Sequence, residues 1–276
     1  MMNVFYKILL LQIFIFFHFC GFPQGELETN REPDKYNLNS IGFKLNSNGS
    51  GAYYSFSTRI NYRLRRFFEA EYNYMKSPKE IKVVNPYFES ITVKKFVFGK
   101  TYTVHNIKFG YGYNKVLFDK RDKNSVSINF KGSGGAILAF SKPIYYEIVD
   151  SLKLINGYFV PYTSYYRIDI NIQNNPTDIV GKAPFNLGLN EIKFHPGFYI
   201  KMGMSFDFSQ DVMKSKVLET GAIFDYYLNP IEIIAGQVNS TFLYLYICYN
   251  FGKKYDAALN REYRKDQRRK SLQISN

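Results

Sequence analysis

Along residues 54–65, YSFSTRINYRLR, two kinds of position alternate without a slip: Tyr54, Phe56, Thr58, Ile60, Tyr62 and Leu64 share one parity, and Ser55, Ser57, Arg59, Asn61, Arg63 and Arg65 the other. Period-two alternation marks an extended strand with two unlike faces. The pattern recurs. Phe68, Ala70, Tyr72 and Tyr74 oppose Glu69, Glu71 and Asn73, while Ile107, Phe109, Tyr111 and Tyr113 oppose Lys108, Gly110 and Gly112. The longest case, 192–208, sets Phe194, Phe198, Ile200, Met202, Met204 and Phe206 against Lys193, His195, Lys201, Ser205 and Asp207. Thr241, Leu243, Leu245, Ile247, Tyr249 and Phe251 form a last apolar row. No pattern of helical period extends beyond two turns, and past the N-terminus no run of eighteen apolar residues suits a spanning helix.

These segments predict ten strands: 37–46, 51–64, 67–76, 90–98, 102–114, 125–140, 144–150, 190–208, 216–228 and 240–252. Strands of soluble proteins cluster at about five or six residues, whereas these reach ten to fourteen and more. Phe198–Phe208, at about 3.3 Å per residue and a tilt near 40°, covers about 25 Å of height, the thickness of the apolar band around a membrane barrel. Tyr54 and Tyr62 bracket Phe56–Ile60 as an aromatic girdle would. Connections after odd-numbered strands (47–50, 77–89, 115–124, 151–189 and 229–239) include every long one, and those after even-numbered strands (65–66, 99–101, 141–143 and 209–215) are short. Outer-membrane barrels have this asymmetry, with short periplasmic turns and longer outer loops. The predicted fold is therefore an all-β, antiparallel up-and-down transmembrane β-barrel of about ten strands with periplasmic termini. The weakest members are strands four and seven. Losing both leaves eight, and pairing within 151–189, where YFVPYTSYYRIDINI lies, gives twelve.

The face opposite the lipid looks into the barrel, and a barrel of eight to ten strands is about wide enough for its own side chains. Arg59 and Arg63 are expected to meet Glu69 and Glu71 there, with Lys201, Asp207, Glu219 and Asp225 adding charge of both signs. Such pairs would brace the interior and leave no wide aqueous pore.

Composition sharpens this picture. The 276 residues include 26 Phe and 25 Tyr with a formal net charge of +13, too aromatic for a disordered chain. From Lys253 onward eight cations face three carboxylates, 8 − 3 = +5, so much of the excess is a basic tail. Of the two cysteines, Cys20 falls in the leader, leaving Cys248 as a single thiol without a disulfide. The start, MMNVFYKILLLQIFIFFHFC, has Lys7, an apolar run Ile8–Phe17 and then Gly21 and Pro23, the pattern of an export signal. The organisation read from these features is a signal peptide at 1–25, a short periplasmic segment at 26–36, the barrel at 37–252 and a periplasmic basic tail at 253–276.

Chemical motifs are sparse. Gly99-Lys100-Thr101 resembles the end of a phosphate loop, but Lys94 stands where that loop needs its first glycine. GSGG at 132–135 reads as a thin-walled or bulged strand. His105 and His195 are far apart in sequence and have no metal-ligand spacing. His195, beside Pro196, is expected at the outer rim as a hydrogen-bonded polar residue. A barrel hydrolase using such a histidine is an alternative. Asn48-Gly-Ser50 matches a glycosylation sequon. No catalytic, cofactor-binding or metal-binding residue is assigned, and no cofactor is expected.

LYLYICYNF, 243–251, resembles the terminal strand that outer-membrane barrels present to the barrel-assembly machinery, although 25 residues follow Phe251. The whole chain resembles the outer-membrane β-barrels of gram-negative bacteria. FGYGYNKVLFDKRD (109–122), GSGGAILAFSKPIYYEI (132–148) and YNFGKKYD (249–256) are similar to an uncharacterised barrel family associated with Bacteroidota. The resemblance implies location and fold: export to the outer membrane, contact with its lipid and insertion by the assembly machinery. The leading functional expectation is a small non-enzymatic barrel for envelope structure, assembly or surface contact through 151–189, with the tail meeting an envelope partner and no nucleic acid. A narrow channel for ions or small solutes is the other alternative, and a soluble secreted barrel is the structural competitor.

Overall fold

The computed structural model describes residues 36–85, 95–120, 125–155, 158–167, 178–210 and 213–256. Residues 1–35, on which the predicted signal peptide and most of the predicted 26–36 segment fall, and the residues from 257 onward lie outside these. Eight strands form the wall: β1 (Tyr36–Asn46), β2 (Gly49–Arg59), β3 (Leu64–Met75), β6 (Tyr102–Phe118), β7 (Ser127–Pro143), β11 (Lys193–Asp207), β12 (Lys214–Glu232) and β13 (Val238–Asp256). Each pairs antiparallel with its chain neighbour in the wall, and β1 closes on β13. Along the outward rows the side chains are apolar and exposed: Ile41, Phe43 and Leu45 on β1, and Leu243, Leu245 and Ile247 on β13. Phe43 and Leu243 are each 76% exposed, an arrangement that calls for an apolar surround. On β7 the outward row Phe130–Phe140 rises ten residues, about 25 Å at the expected tilt.

Register fixes the width. Followed once around the wall it runs Gly49, Asn46, Tyr246, Gly221, Gly203, Lys131, Asn114, Arg65, Arg59, and returns to β2 ten residues from its start (59 − 49 = 10). Eight strands with that stagger tilt by about 40° and enclose a backbone cylinder of about 8 Å radius, at ~4.8 Å between strands and ~3.3 Å per residue. Large side chains must then cross the axis, and glycines make room for them. A Cβ at Gly110 would lie 2.0 Å from the Tyr199 hydroxyl, one at Gly112 2.7 Å from the Phe67 ring, and one at Gly203 2.5 Å from the Tyr246 hydroxyl. In the GSGG stretch the register is continuous, without a bulge. There the close approach is at Gly135, where a Cβ would lie 2.0 Å from the Phe109 carbonyl oxygen.

The barrel has eight strands rather than ten because the two weakest predicted strands do not join it. Of 90–98 the described part forms only β5 (Phe96–Val97), paired with β4 (Lys82–Val83) in a ribbon. The other, 144–150, is the start of β8 (Tyr145–Ile155), which lies between β9 (Tyr158–Arg167) and β10 (Ile179–Lys182) in a separate three-stranded sheet. Pairing within 151–189 thus occurs, but beyond the barrel. Dropping strand four moves the 119–126 connection to the end that carries the termini. The opposite end then holds the long connections 76–101 and 144–192. The first turn at the termini end is Ile60–Arg63, not 65–66: Ile60 and Asn61 N–H donate to the Leu64 carbonyl at 3.0 and 3.2 Å, and Arg59 donates to the Asn61 and Tyr62 carbonyls. Alternation runs through this turn by chance, so Tyr62 sits in the turn, bonded to Asp119, while Tyr54 lies within the wall opposite Ile41 and Ala70. β13 also extends to Asp256, pairing Lys253 and Lys254 with Asn39 and Leu38.

Gly110→Ala should destabilise the barrel by about 1–3 kcal/mol through overpacking against Tyr199. Tyr199→Phe in the same chain should cost less than the sum of the two single changes. Denaturant unfolding in lipid vesicles checks this, and full additivity would contradict it.

Candidate functional site

Inward positions carry the chain's distinctive chemistry. Lys44, Lys108, Lys131 and Lys201 meet Glu69, Glu71, Glu219 and Asp225, all buried, so this network's formal charge is 4 − 4 = 0. Lys201 stands at the centre: its Nζ lies 2.9 Å from Glu69, 2.9 Å from Glu71 and 3.3 Å from Glu219. Lys44 completes Glu71, and Lys131 completes Glu219 at 2.7 Å. A second group joins Lys108 to Asp225 at 2.5 Å, with the Tyr244 hydroxyl donating to Asp225 at 2.8 Å. Tyrosines add further donors: Tyr199 donates to Glu69 and Tyr246 to Glu219, each at 2.8 Å. The lysines also lie over aromatic faces, Lys131 and Lys201 each 4.6 Å from the Tyr53 ring centre.

The arrangement follows from strand geometry. Inward residues on neighbouring strands converge near the axis of a narrow barrel, so lysines on β1, β6, β7 and β11 reach carboxylates on β3 and β12. Burying isolated charges would cost several kcal/mol each; here each has an opposite charge and hydrogen bonds. Nearer the loop end an apolar layer of Met75, Val104, Ile137, Ala139, Tyr227, Ile231 and Ile233 covers the ionic one.

Several sequence expectations are redirected. Glu69, Glu71, Lys201, Glu219 and Asp225 do face inward, and Asp207 sits lower, bridged to Lys120 at 3.0 Å. Arg59 and Arg63, however, are not the partners of Glu69 and Glu71. Arg59 stands opposite Arg65 beside the turn, four residues from Ser55, which is what Glu69 faces. Lys44, Lys108 and Lys131 were the missed partners. Each has the inward parity, a signal present in the alternation, but pairing across the axis is set by the stagger.

His105 and His195 are on opposite faces of the wall. His105 faces outward, its Nδ1 2.8 Å from the Tyr72 hydroxyl and its ring stacked on that of Tyr72. His195 faces inward near the loop-end rim, its Nδ1–H donating to the Asn229 carbonyl at 3.1 Å. Lys100 follows a left-handed Gly99 (φ 74°), and its ammonium is held by Glu80 at 2.6 Å and the Tyr74 hydroxyl at 3.1 Å. Cys248 is buried, its thiol 3.2 Å from the Asn250 side-chain oxygen. Among the described residues no group of His, Cys, Asp and Glu is arranged to hold a metal ion.

At the loop end the β8–β9–β10 sheet is rooted on the barrel. Phe96, Ile144, Tyr146 and Ile179 form its core, and the Tyr146 hydroxyl lies 2.6 and 2.8 Å from the carbonyl oxygens of Val97 and Lys100. Farther out, Leu154, Tyr162, Tyr165 and Tyr166 are exposed on β8 and β9, with Lys153 4.4 Å over the Tyr162 ring.

No family model matches the chain, and no curated protein does. Solved structures with a similar course include Neisserial surface protein A, at 12% identity over 80% of this chain and 96% of that one, with a TM-score of 0.35. Ail, the attachment invasion locus protein of Yersinia pestis, is similar at 9% identity over 80% of this chain and 99% of that one, TM-score 0.37, both alone and in complex with the heparin analogue sucrose octasulfate. Likeness at this level assigns neither partner nor activity.

Lys201→Met should destabilise the barrel by about 3–5 kcal/mol, because three carboxylates then face one another without their shared cation. Adding Glu69→Gln should recover part of that loss, and equal unfolding midpoints for wild type and Lys201→Met would contradict the account. Burial raises the Tyr146 hydroxyl above the ordinary tyrosine value of 10.0. A raised folded-state value means the root of the outer sheet keeps its full stability below about pH 10 and loses it as pH rises further. Hydrogen exchange at Ile144 and Ile148 should therefore show protection falling in alkali, and Tyr146→Phe should abolish that fall.

Proposed function

We propose that this chain spans the outer membrane of a gram-negative envelope as a closed, non-conducting barrel and acts through the surface it carries at the loop end. The observation that carries the reading is the β8–β9 hairpin, whose Tyr162, Tyr165 and Tyr166 are about half exposed on a sheet anchored by buried Tyr146. Tyrosines offer large, stiff, amphipathic contact area and are enriched where proteins meet proteins. The charge-balanced network that crosses the lumen supports a rigid support in preference to a channel. The apolar outer rows support lipid as the surround and, with it, insertion by the barrel-assembly machinery. The short turns at the termini end support a periplasmic position for the termini, where the excess positive charge from Lys253 onward suits an acidic envelope partner.

Purified full-length protein in planar bilayers should give no stepwise conductance; steady large steps would overturn the closed reading. A photo-crosslinking amino acid at Tyr165 in intact cells should yield a discrete protein adduct, and one at Phe43 only lipid. Lipid adducts alone at both positions would remove the surface-contact role.

A further inference from the structure

A cleft of about 310 Å³ opens at the mouth of the barrel, beside the β1–β2 turn. Its apolar lining is Ile231, Ile233, Ile234 and Phe242; the first two belong to the apolar layer above the ionic network, and the other two pack against it. Lys76 and Lys79 line it as well, with amides from Asn48, Gln237 and Asn239, and no carboxylate is in the lining. Among the described residues neither lysine forms an ion pair. Carboxylates in the flanking turns are already engaged: Glu80 with Lys100 at 2.6 Å, and Glu232 with the Gly236 N–H at 2.9 Å.

The walls are preformed. Lys76 N–H donates to the Asn48 carbonyl at 2.6 Å, tying the first loop to the β1–β2 turn. Ala235 N–H donates to Gly99 at 2.8 Å and Thr101 N–H to Ile233 at 3.1 Å, tying the 231–237 turn to the base of the outer sheet. A concave apolar floor with a few convergent polar groups, at a barrel mouth, has the form of a small-ligand site. We propose that this cleft binds a short single-chain amphiphile with an anionic head, its tail on Ile231, Ile233, Ile234 and Phe242 and its head between Lys76 and Lys79. The volume holds about ten water-sized groups of ~30 Å³ each, which suits a medium-chain carboxylate. Two lysines with no acid in the lining select the anion over a neutral alcohol of equal length, because a charge-assisted hydrogen bond is stronger than a neutral one.

Methyl NMR of the full chain in zwitterionic lipid nanodiscs, with isoleucine labelling, tests this using sodium octanoate and octanol as probes. Octanoate should shift Ile231, Ile233 and Ile234 saturably and leave the lipid-facing Ile41, Ile107 and Ile247 in place. Octanol should bind at least tenfold more weakly, and Lys76→Gln with Lys79→Gln should weaken octanoate about tenfold without moving the unligated spectrum. Shifts confined to the lipid-facing isoleucines would mean partition into the bilayer and overturn the site. Equal binding of octanol, or of octanoate to the double variant, would overturn the role of the lysines.

Discussion

The structure depends on a sheet that closes on itself. In hydrocarbon every backbone N–H and C=O must find a partner within the protein, and a closed strand ring does this without an edge. Eight strands with a stagger of ten meet that demand with a cylinder about wide enough for its own side chains. The outward rows are then obliged to be apolar, and the inward rows obliged to fill a fixed volume. Both obligations are visible in residue types: Leu243, Leu245 and Ile247 outside, alternating with Tyr244, Tyr246 and Cys248 inside.

Filling the lumen with ionic groups instead of leucines has a structural consequence. A buried ion cluster adds little net stability over a good apolar core, but it penalises any arrangement that separates its partners. Lys201 touches carboxylates on β3 and β12 at once, strands on different sides of it in the ring order, so a shift of β11 by two residues would take the shared cation from three acids and leave Glu69 without an ion pair. A one-residue slip would put the lysine in lipid. The charge network thus specifies register, which alternation alone leaves open by even steps. Gly110, Gly112 and Gly203 belong to the same solution, since the tyrosines and Phe67 that serve or pack around the network occupy the space their side chains would take.

Much of this was legible in the chain. Period-two alternation located all eight wall strands, and in 54–59, 68–74, 107–113, 192–208 and 241–251 their outward rows too, because there the contrast between the two faces is strong from residue to residue. What it missed depends on distance in three dimensions. Arg59 has the inward parity, yet it lies beside a turn that the alternation passes through unchanged, and so it serves turn carbonyls. IYYEIVD is a strand, but its pairing with β9 and β10 outside the wall is decided by what lies beyond 151, not by its own residues. The identity of each salt-bridge partner required the stagger, which no single strand encodes. The mouth cleft was also unreadable, since Lys76 and Ile234 are distant in sequence and adjoin only through the Asn48 turn and the Gly99 bridge.

The alternation of lipid and protein surroundings along one strand is the account's central claim, and nitroxide scanning of β13 from Thr241 to Phe251 in vesicles tests it most directly. Collision rates with oxygen should peak at Leu243, Leu245, Ile247 and Tyr249 and fall at Tyr244, Tyr246, Cys248 and Asn250, with the outward sites shielded from a water-soluble nickel relaxant. Nickel access at the outward sites equal to that of a free loop would show that water, not lipid, surrounds the wall.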